Sequence, residues 1–123
     1  MIINGKNITK ALIVAQPWVD KIFSEDPDEI KDWEMRSSST KIRGDIGIIE
    51  KGTGRIVGIT TLVDCLAPLT VDELVANKHR HRVDFENNPD LVKWNNPWVL
   101  ENSHRIDPIQ YTHPQGAVIW VNV

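Results

Sequence analysis

Two β-rich runs follow one another directly in this sequence, joined only by a short turn that contains two glycines. The first run extends over Ile42–Glu50 and the second over Arg55–Cys65, with Gly52 and Gly54 between them. Glycine adopts the positive φ angles that tight hairpin turns require, so this arrangement predicts an antiparallel hairpin. Strands that follow one another without an intervening helix argue against a doubly wound parallel sheet, in which helices alternate with strands.

Further strand and helix signals stand on both sides of this hairpin. The apolar run Ala11–Ala15 has strand length, and a proline at the first helical position predicts a helix over Pro17–Ser24. Thr70 and Glu73 have the spacing of a capping box, which predicts a second helix over Val71–His81. The remaining predicted strands are the segment around Trp33, Trp98–Arg105 and Ala117–Val123. The sequence therefore predicts one α+β domain over residues 1–123, with about six mostly antiparallel strands in a small curled sheet or barrel and two main helices.

Composition places this chain among ordinary globular proteins and argues against a membrane segment. Hydrophobic residues make up 41% and charged residues 25% of its 123 residues, and no apolar run approaches the ~20 residues that span a bilayer. The N-terminal segment Met1–Gly5 lacks the basic start and the long apolar stretch of a secretory signal. Cys65 is the single cysteine, so no internal disulfide can form. We therefore expect a cytoplasmic protein that does not bind membranes.

The charge distribution argues against a protein that binds long nucleic acid through many phosphate contacts. The formal net charge is −3, whereas proteins that contact many phosphates are usually basic. The acidity is local, because Ser24–Glu29 holds four of the seventeen acidic residues and the remainder carries 14 basic and 13 acidic groups, a balance of +1. A short RNA or a single nucleotide is compatible with that balance.

Motifs for metals and for nucleotide triphosphates are missing. His79 and His81 are two residues apart, whereas paired zinc ligands on a helix are spaced by four. The Gly52–Gly54 turn lies in a predicted hairpin rather than between a strand and a helix, where a phosphate-binding loop belongs. We therefore expect no metal site and no cofactor.

The segment Asp32–Ser38 combines a carboxylate and a guanidinium with large apolar side chains. In an extended strand alternate residues share a face, so Glu34 and Arg36 point one way while Trp33 and Met35 point the other. A planar Arg fork beside an acid suits a ligand that offers both donors and acceptors, such as a nucleobase. The alternative is an ion pair on an edge strand, which contributes only about 0 to 1 kcal/mol.

Five tryptophans and one basic run are further candidates for ligand contacts. Exposed aromatic faces stack on bases. Trp94 and Trp98 flank an Asn/Pro-rich linker, where their side chains are placed to line a pocket. Trp120, by contrast, lies in an apolar run that is typical of the core. The run Lys78–Arg82 suits phosphate binding, but it also lies in the last turn of the second predicted helix. Cations there interact favourably with the negative end of the helix dipole.

With these residues in place, the chain resembles the ASCH family, a branch of the PUA-like group of small β-barrels. The matching segments are Gln16–Trp18, Lys31, Glu34–Ser37, Lys41–Gly44, Lys51–Gly54 and His113–Trp120. Because they occur in the family's order over nearly the whole chain, the resemblance implies a PUA-like barrel. It also implies RNA or a modified nucleotide as the partner, bound in a cleft beside the barrel.

Some similar proteins act as metal-free hydrolases on an acetylated cytidine or on RNA. The resemblance places Lys31 at their catalytic lysine, but Glu34 stands where they have a threonine, and their catalytic glutamate has no match near Ala76–His81. A glutamate at that position adds a negative charge, which we expect to raise the pKa of Lys31 and hold it protonated. These departures favour a binding protein over a hydrolase.

We therefore predict a cleft bounded by Lys31–Ser38, the Lys51–Gly54 turn and the linker Trp94–Trp98. The predicted ligand-binding residues are Trp18, Glu34, Arg36, Ser37, Arg43, Lys51 and Trp98. In this hypothesis Glu34 accepts from a base edge, the arginines contact acceptors or phosphate, and a tryptophan stacks on the base.

Two competing hypotheses remain open. In the first, the protein is a small metal-free hydrolase in which Lys31 is the base or nucleophile and Glu34 its proton partner. In the second, it is an interaction module whose acidic loop, Glu25–Glu29, docks a basic partner.

Overall fold

The computed structural model describes all residues from Met1 to Val123, and its centre is a mixed six-stranded sheet curled into a half-barrel. The strands are β1 Ile2–Ile3, β2 Lys6–Asn7, β3 Lys10–Val14, β4 Trp33–Arg36, β5 Gly44–Glu50, β6 Arg55–Cys65, β7 Asn96–Gln110 and β8 Trp120–Asn122. The helices are α1 Trp18–Ile22, α2 Val71–Ala76, α3 Lys78–His81 and a 3₁₀ helix at Pro89–Lys93. No helix has the length and apolar character needed to cross a bilayer.

The strand order in the main sheet is β4-β7-β6-β5-β3-β8, and the short strands β1 and β2 form a separate pair. Every neighbouring pair in the main sheet is antiparallel except β3 and β5, which run parallel. The predicted hairpin is confirmed, since β5 and β6 pair up to Glu50 and Arg55. Gly52 and Gly54 in its turn have φ angles of +86° and +69°. The α+β class with six mostly antiparallel strands is therefore confirmed.

The last two strands differ from their predicted bounds. β7 starts two residues earlier than predicted and continues to Gln110, through Pro108. The strand tolerates this proline because the register with β6 shifts between Ile56 and Gly58, and prolines are accepted in sheets at such irregularities. β8 covers only Trp120–Asn122, so the predicted strand from Ala117 was too long.

The second predicted helix is capped as expected but is broken in the middle. Thr70 Oγ1 accepts from the Glu73 amide at 3.2 Å, and the Thr70 amide donates to Glu73 Oε1 at 3.0 Å, which completes the capping box. The helix then ends at Asn77, whose side-chain amide donates to the Glu73 carbonyl at 2.8 Å. Asparagine ends helices in this way because its side chain competes for the backbone acceptors of the last turn. The prediction of one helix over Val71–His81 was therefore wrong.

Three hydrophobic clusters hold the sheet and its helices together. Residues that alternate along β3 enter different clusters, with Leu12 and Val14 packed beneath α1 and Ala11 and Ile13 on the other face. The third cluster packs Met35 of β4 against α2 and the segment after α3; its buried members are Met35, Leu74, Val83 and Phe85. This third cluster fixes the position of β4 and of the residues just before it.

Helix α1 lies directly on the backbone of β6. A Cβ atom built at Gly58 would stand 2.2 Å from the Phe23 ring, so only glycine allows this approach. At the other end of α1, the Trp18 ring lies over the ammonium group of Lys31, just before β4.

Candidate functional site

A cavity of about 400 Å³ opens between α1, β4 and the segment from Val83 to Trp94. Most of its wall is apolar, including Ile13, Trp18, Met35, Phe85, Leu91 and Trp94. Its polar residues are Lys31, Glu34, Arg36 and Lys51. Apolar cavities of roughly 300 to 1,000 Å³ with a few convergent polar groups are typical of small-molecule sites.

Edge strand β4 supplies the carboxylate and the guanidinium of this site. It pairs only with β7, from Trp33 opposite Val99 to Arg36 opposite Asn96. Period-two alternation places Glu34 and Arg36 on one side, as predicted, and Arg36 Nη2 donates to Glu34 Oε2 at 2.8 Å. The same nitrogen donates to the Ile13 carbonyl at 2.8 Å, which ties β4 to β3. Met35 is buried, as predicted, and also forms part of the cavity wall.

Lys31 lies at the inner end of the cavity and is 1% exposed. Its Nζ donates to the His81 carbonyl at 2.6 Å and lies 3.7 Å from Glu34 Oε1. The Trp18 ring covers the ammonium group, with its centroid 4.7 Å from Nζ. The ammonium therefore has an acceptor, a counterion and an aromatic face, the partners that a buried charge requires.

Burial lowers the pKa of Lys31 to about 8, an effect that the negative charge of Glu34 opposes and the positive charge of Arg36 reinforces. Glu34 raises the pKa of Lys31, as expected, but the loss of hydration lowers it by more, so the net pKa is below that of a solvated lysine. Lys31 is still mostly protonated at neutral pH, since about ten charged molecules exist for each neutral one when the pH is one unit below the pKa.

His81 is buried and holds the acceptor for Lys31 in place. Its Nδ1 accepts from the Val83 amide at 2.9 Å, so the ring proton is on Nε2, which donates to the Leu74 carbonyl at 2.6 Å. Burial lowers the pKa of His81 to about 4, and the nearby Lys31 adds to that lowering. His81 is therefore neutral at physiological pH and links α2 to the polar end of the cavity.

Two arginines of the basic run make structural contacts. Arg80 pairs with Asp32 at 2.7 Å. Arg82 donates to the carbonyls of Ile30 and Pro27 at 2.9 and 3.0 Å. These bonds hold the segment Pro27–Asp32, which leads into β4, and so help to position the β4 residues that line the cavity.

Five of the predicted site residues come together around the cavity, and three do not. Those that line it are Trp18, Lys31, Glu34, Arg36 and Lys51. Ser37 is exposed outside it, and Arg43 donates to the carbonyls of Thr40 and Ile42 in its own loop.

Trp98 has no face free for a ligand. Its side chain is 1% exposed and stacks on Trp120 with ring centroids 5.8 Å apart. Its Nε1 donates to the Ser38 carbonyl at 2.9 Å. The predicted stacking role at Trp98 is corrected on this ground, because the ring stacks on Trp120, the Arg36 guanidinium lies 5.7 Å from the ring centre, and the buried ring cannot meet a base.

Sequence reasoning missed much of the apolar wall. Val83, Phe85 and Leu91 lie between the second predicted helix and the linker Trp94–Trp98, and Val118 lies in the loop before β8. Single apolar residues scattered among polar ones have neither helical nor strand periodicity, so no local signal marks them. Trp94, placed by the sequence at a pocket, does line the cavity.

Comparisons with known proteins agree on one family. The model of the ASCH domain matches residues 12–110. A crystal structure of an ASCH protein from Zymomonas mobilis is similar with a TM-score of 0.65 at 13% identity, covering 93% of this chain and 86% of that one. A crystal structure of a serine-to-alanine mutant of the Zymomonas mobilis protein is similar with a TM-score of 0.63 at 14% identity, covering 93% of this chain and 87% of that one. No curated protein sequence matches this chain. At these identities the structural likeness shows the PUA-like fold alone.

Proposed function

Since this chain belongs to the ASCH domain family, whose fold is generally related to RNA binding, we propose that its cavity binds the base of a nucleotide or modified nucleoside, free or in a short RNA. The observation that carries the proposal is a cluster of two buried residues, Lys31 and Glu34, and the partly buried Arg36 in the wall of an otherwise mostly apolar cavity. Flat apolar walls suit the faces of a base, and the charged cluster suits its polar edge.

The cluster has hydrogen-bonding capacity left for a ligand. Arg36 uses Nη2 for both of its bonds, so the protons on Nη1 and Nε can donate to acceptors on a base. Glu34 Oε2 accepts from Arg36, whereas Oε1 lies 3.7 Å from Lys31 Nζ and can accept from a base amino group. A donor and an acceptor side by side match a base edge that offers both.

The charge around the cavity suits a ligand that carries phosphate. The polar lining residues comprise three cations and one carboxylate, a formal charge of +2 in a protein of net charge −3. A local positive field of this kind attracts an anion without requiring the many phosphate contacts of a long nucleic acid.

Calorimetric titration with nucleosides, their 5′-monophosphates and N-acylated nucleosides tests this proposal. Replacing Arg36 by Ala should weaken binding by about 1 to 3 kcal/mol, or about 5- to 150-fold in Kd, if its free donors contact the base. Arg105→Ala is the matched control, because Arg105 also pairs with a carboxylate but lies away from the cavity. An unchanged Kd in Arg36→Ala would remove Arg36 from the site, and absence of binding by every probe would overturn the proposal.

A second candidate function is hydrolysis of an N-acylated nucleoside, favoured by the pKa of Lys31 of about 8 inside the cavity. A neutral Lys31 amine would take a proton from a water that attacks the acyl carbon, and that proton would return to the leaving base nitrogen, with Glu34 as the partner of the ammonium. We prefer the binding function because Lys31 is mostly charged at neutral pH and donates to the His81 carbonyl.

Turnover assays separate the two functions. If the protein is a hydrolase, Lys31→Ala should lower kcat by about 10²- to 10⁴-fold, because a proton-transfer group is lost. The rate of the wild type should also rise with pH and reach half of its plateau near pH 8, where half of Lys31 is neutral. Robust hydrolysis of an N-acylated nucleoside that Lys31→Ala abolishes would overturn our preference.

A further inference from the structure

A second cavity, of about 420 Å³, lies beside the first and shares part of its wall. Ile13, Lys51 and Val118 line both cavities. Because the same side chains reach both spaces, the two are separated by no more than the width of a side chain.

The wall that belongs only to the second cavity contains two aromatic rings in a fixed arrangement. The hydroxyl of Tyr111 lies 2.8 Å from His113 Nδ1, and His113 Nε2 lies 3.0 Å from the Ala117 carbonyl. Since that carbonyl can only accept, Nε2 carries the ring proton and Nδ1 accepts from the tyrosine. The rings stand 5.8 Å apart at an interplanar angle of 61°. These two hydrogen bonds favour the same arrangement before any ligand arrives, which lowers the entropy cost of stacking on the rings.

The β5–β6 turn also lines the second cavity, beside Tyr111, whose amide donates to the Gly54 carbonyl at 3.2 Å, and the turn has no side chain at two positions. Gly52 and Gly54 line the second cavity. A Cβ atom built at either glycine would meet nothing within 4 Å, so the space in front of the turn is open. A sugar or a base can approach the backbone there closely.

Lys51 stands between the two cavities with its charge unused by the protein. It takes part in none of the seven salt bridges, and its Nζ makes no hydrogen bond. By contrast, Lys31 and Arg36 in the first cavity are both paired with Glu34. An unpaired cation at the junction of two base-sized spaces matches the position of the phosphate that links two nucleotides.

We propose that the second cavity binds the nucleotide adjacent to the one in the first cavity, with the linking phosphodiester at Lys51 and the second base on Tyr111 and His113. The ligand is then a single-stranded dinucleotide step rather than an isolated nucleoside. This inference rests on the proposed function of the first cavity, and it assigns a binding role to Tyr111 and His113, which that function does not use.

The test compares two ligands that differ only in the second nucleoside. Each of the dinucleoside monophosphates ApA, CpC, GpG and UpU is titrated beside the matching nucleoside 3′-phosphate methyl ester, which carries the same diester charge. The dinucleotide should bind about 5- to 150-fold more tightly, the range expected for stacking of one additional base. Tyr111→Ala and His113→Ala should each lower this affinity ratio toward one, whereas Tyr111→Phe should retain most of it because the ring remains.

Two further variants complete the test. His104→Ala is the control, because His104 is an exposed histidine that lines neither cavity, and it should keep the wild-type ratio. Lys51→Ala should lower the affinity for the methyl ester toward that for the plain nucleoside.

The outcomes separate this inference from the proposed function. Equal affinities of the dinucleotide and the methyl ester would overturn the second subsite while leaving the first intact. The second subsite would also be overturned if the dinucleotide still bound more tightly than the methyl ester by the wild-type ratio in both His113→Ala and a folded Tyr111→Ala. If neither nucleosides nor dinucleotides bind, the proposed function fails and the second subsite fails with it.

Discussion

Glu34 and Asp20 each accept a hydrogen bond from an arginine at almost the same distance, 2.8 Å from Arg36 and 2.7 Å from Arg105. Their surroundings differ, however, because the Glu34 side chain is 5% exposed and the Asp20 side chain is 68% exposed. Glu34 also compensates a second buried cation, Lys31, at 3.7 Å. The distance between the charged groups alone therefore does not indicate how much an ion pair contributes to the stability of this protein.

The contrast follows from hydration. Water and salt screen an exposed pair, so Asp20 loses little if its arginine is removed. The pKa of Asp20 is lowered first by the hydrogen bond from Gln16 and only then by Arg105, which shows that it has other partners. In the cluster of Lys31, Glu34 and Arg36, the first two side chains are buried and the Arg36 side chain is only 19% exposed, so the stability of each charge depends on the other two.

Removal of Glu34 should have the largest effect on stability. Glu34→Ala leaves Lys31 and Arg36 next to each other without a counterion, and loss of one partner of a buried pair typically costs about 3 to 5 kcal/mol. Urea unfolding followed by circular dichroism measures this free energy of unfolding. Asp20→Ala is the matched control and should lose less than about 1 kcal/mol. Similar losses in the two variants would show that burial does not distinguish the pairs.

Titration of Lys31 should have the next largest effect, at alkaline pH. Its pKa is 10.5 in a solvated chain and about 8 in the folded protein. Below pH 8 the lysine is charged in both states, so it contributes no pH dependence. From about pH 8 to 10.5 the unfolded chain binds more protons, so the free energy of unfolding should rise with pH by about 3 kcal/mol through this group.

Lys31→Met supplies the reference for that titration, because methionine keeps an apolar stem of similar length and has no proton to release. The difference in unfolding free energy between wild type and variant, measured at both ends of this pH range, isolates the contribution of Lys31. A difference that stays constant with pH would show that the lysine is hydrated in the folded state.

The exposed pair should give the smallest effect. Arg105→Ala removes the salt bridge to Asp20 and a contact in which the guanidinium lies 5.3 Å from the centre of the Phe23 ring. We expect a loss of at most about 1 kcal/mol, which should shrink further as salt is added. A loss comparable with that of Glu34→Ala, measured by the same urea unfolding, would contradict the contrast between the two regions.

Local rules accounted for the features that depend on near neighbours in the chain. The glycines between two β-rich runs predicted the β5–β6 hairpin, and the spacing of Thr70 and Glu73 predicted the capping box. Alternation along β4 placed Glu34 and Arg36 on the same side. Each of these predictions needs only turn chemistry or side-chain periodicity within about ten residues.

The sequence by itself thus determined the curled, mostly antiparallel sheet and the charge pair on its edge strand, because both follow from local backbone preferences. Only the tertiary structure decided which side chains enclose the cavity and how hydrated they are. The Lys31 ammonium donates to the carbonyl of His81, which is fifty residues later in the chain. Trp98 stacks on Trp120 and donates to the Ser38 carbonyl in the loop after β4. Burial of this kind depends on contacts between segments that are distant in the chain, and burial lowers the pKa of Lys31. The local sequence pattern therefore predicts neither the burial nor the pKa.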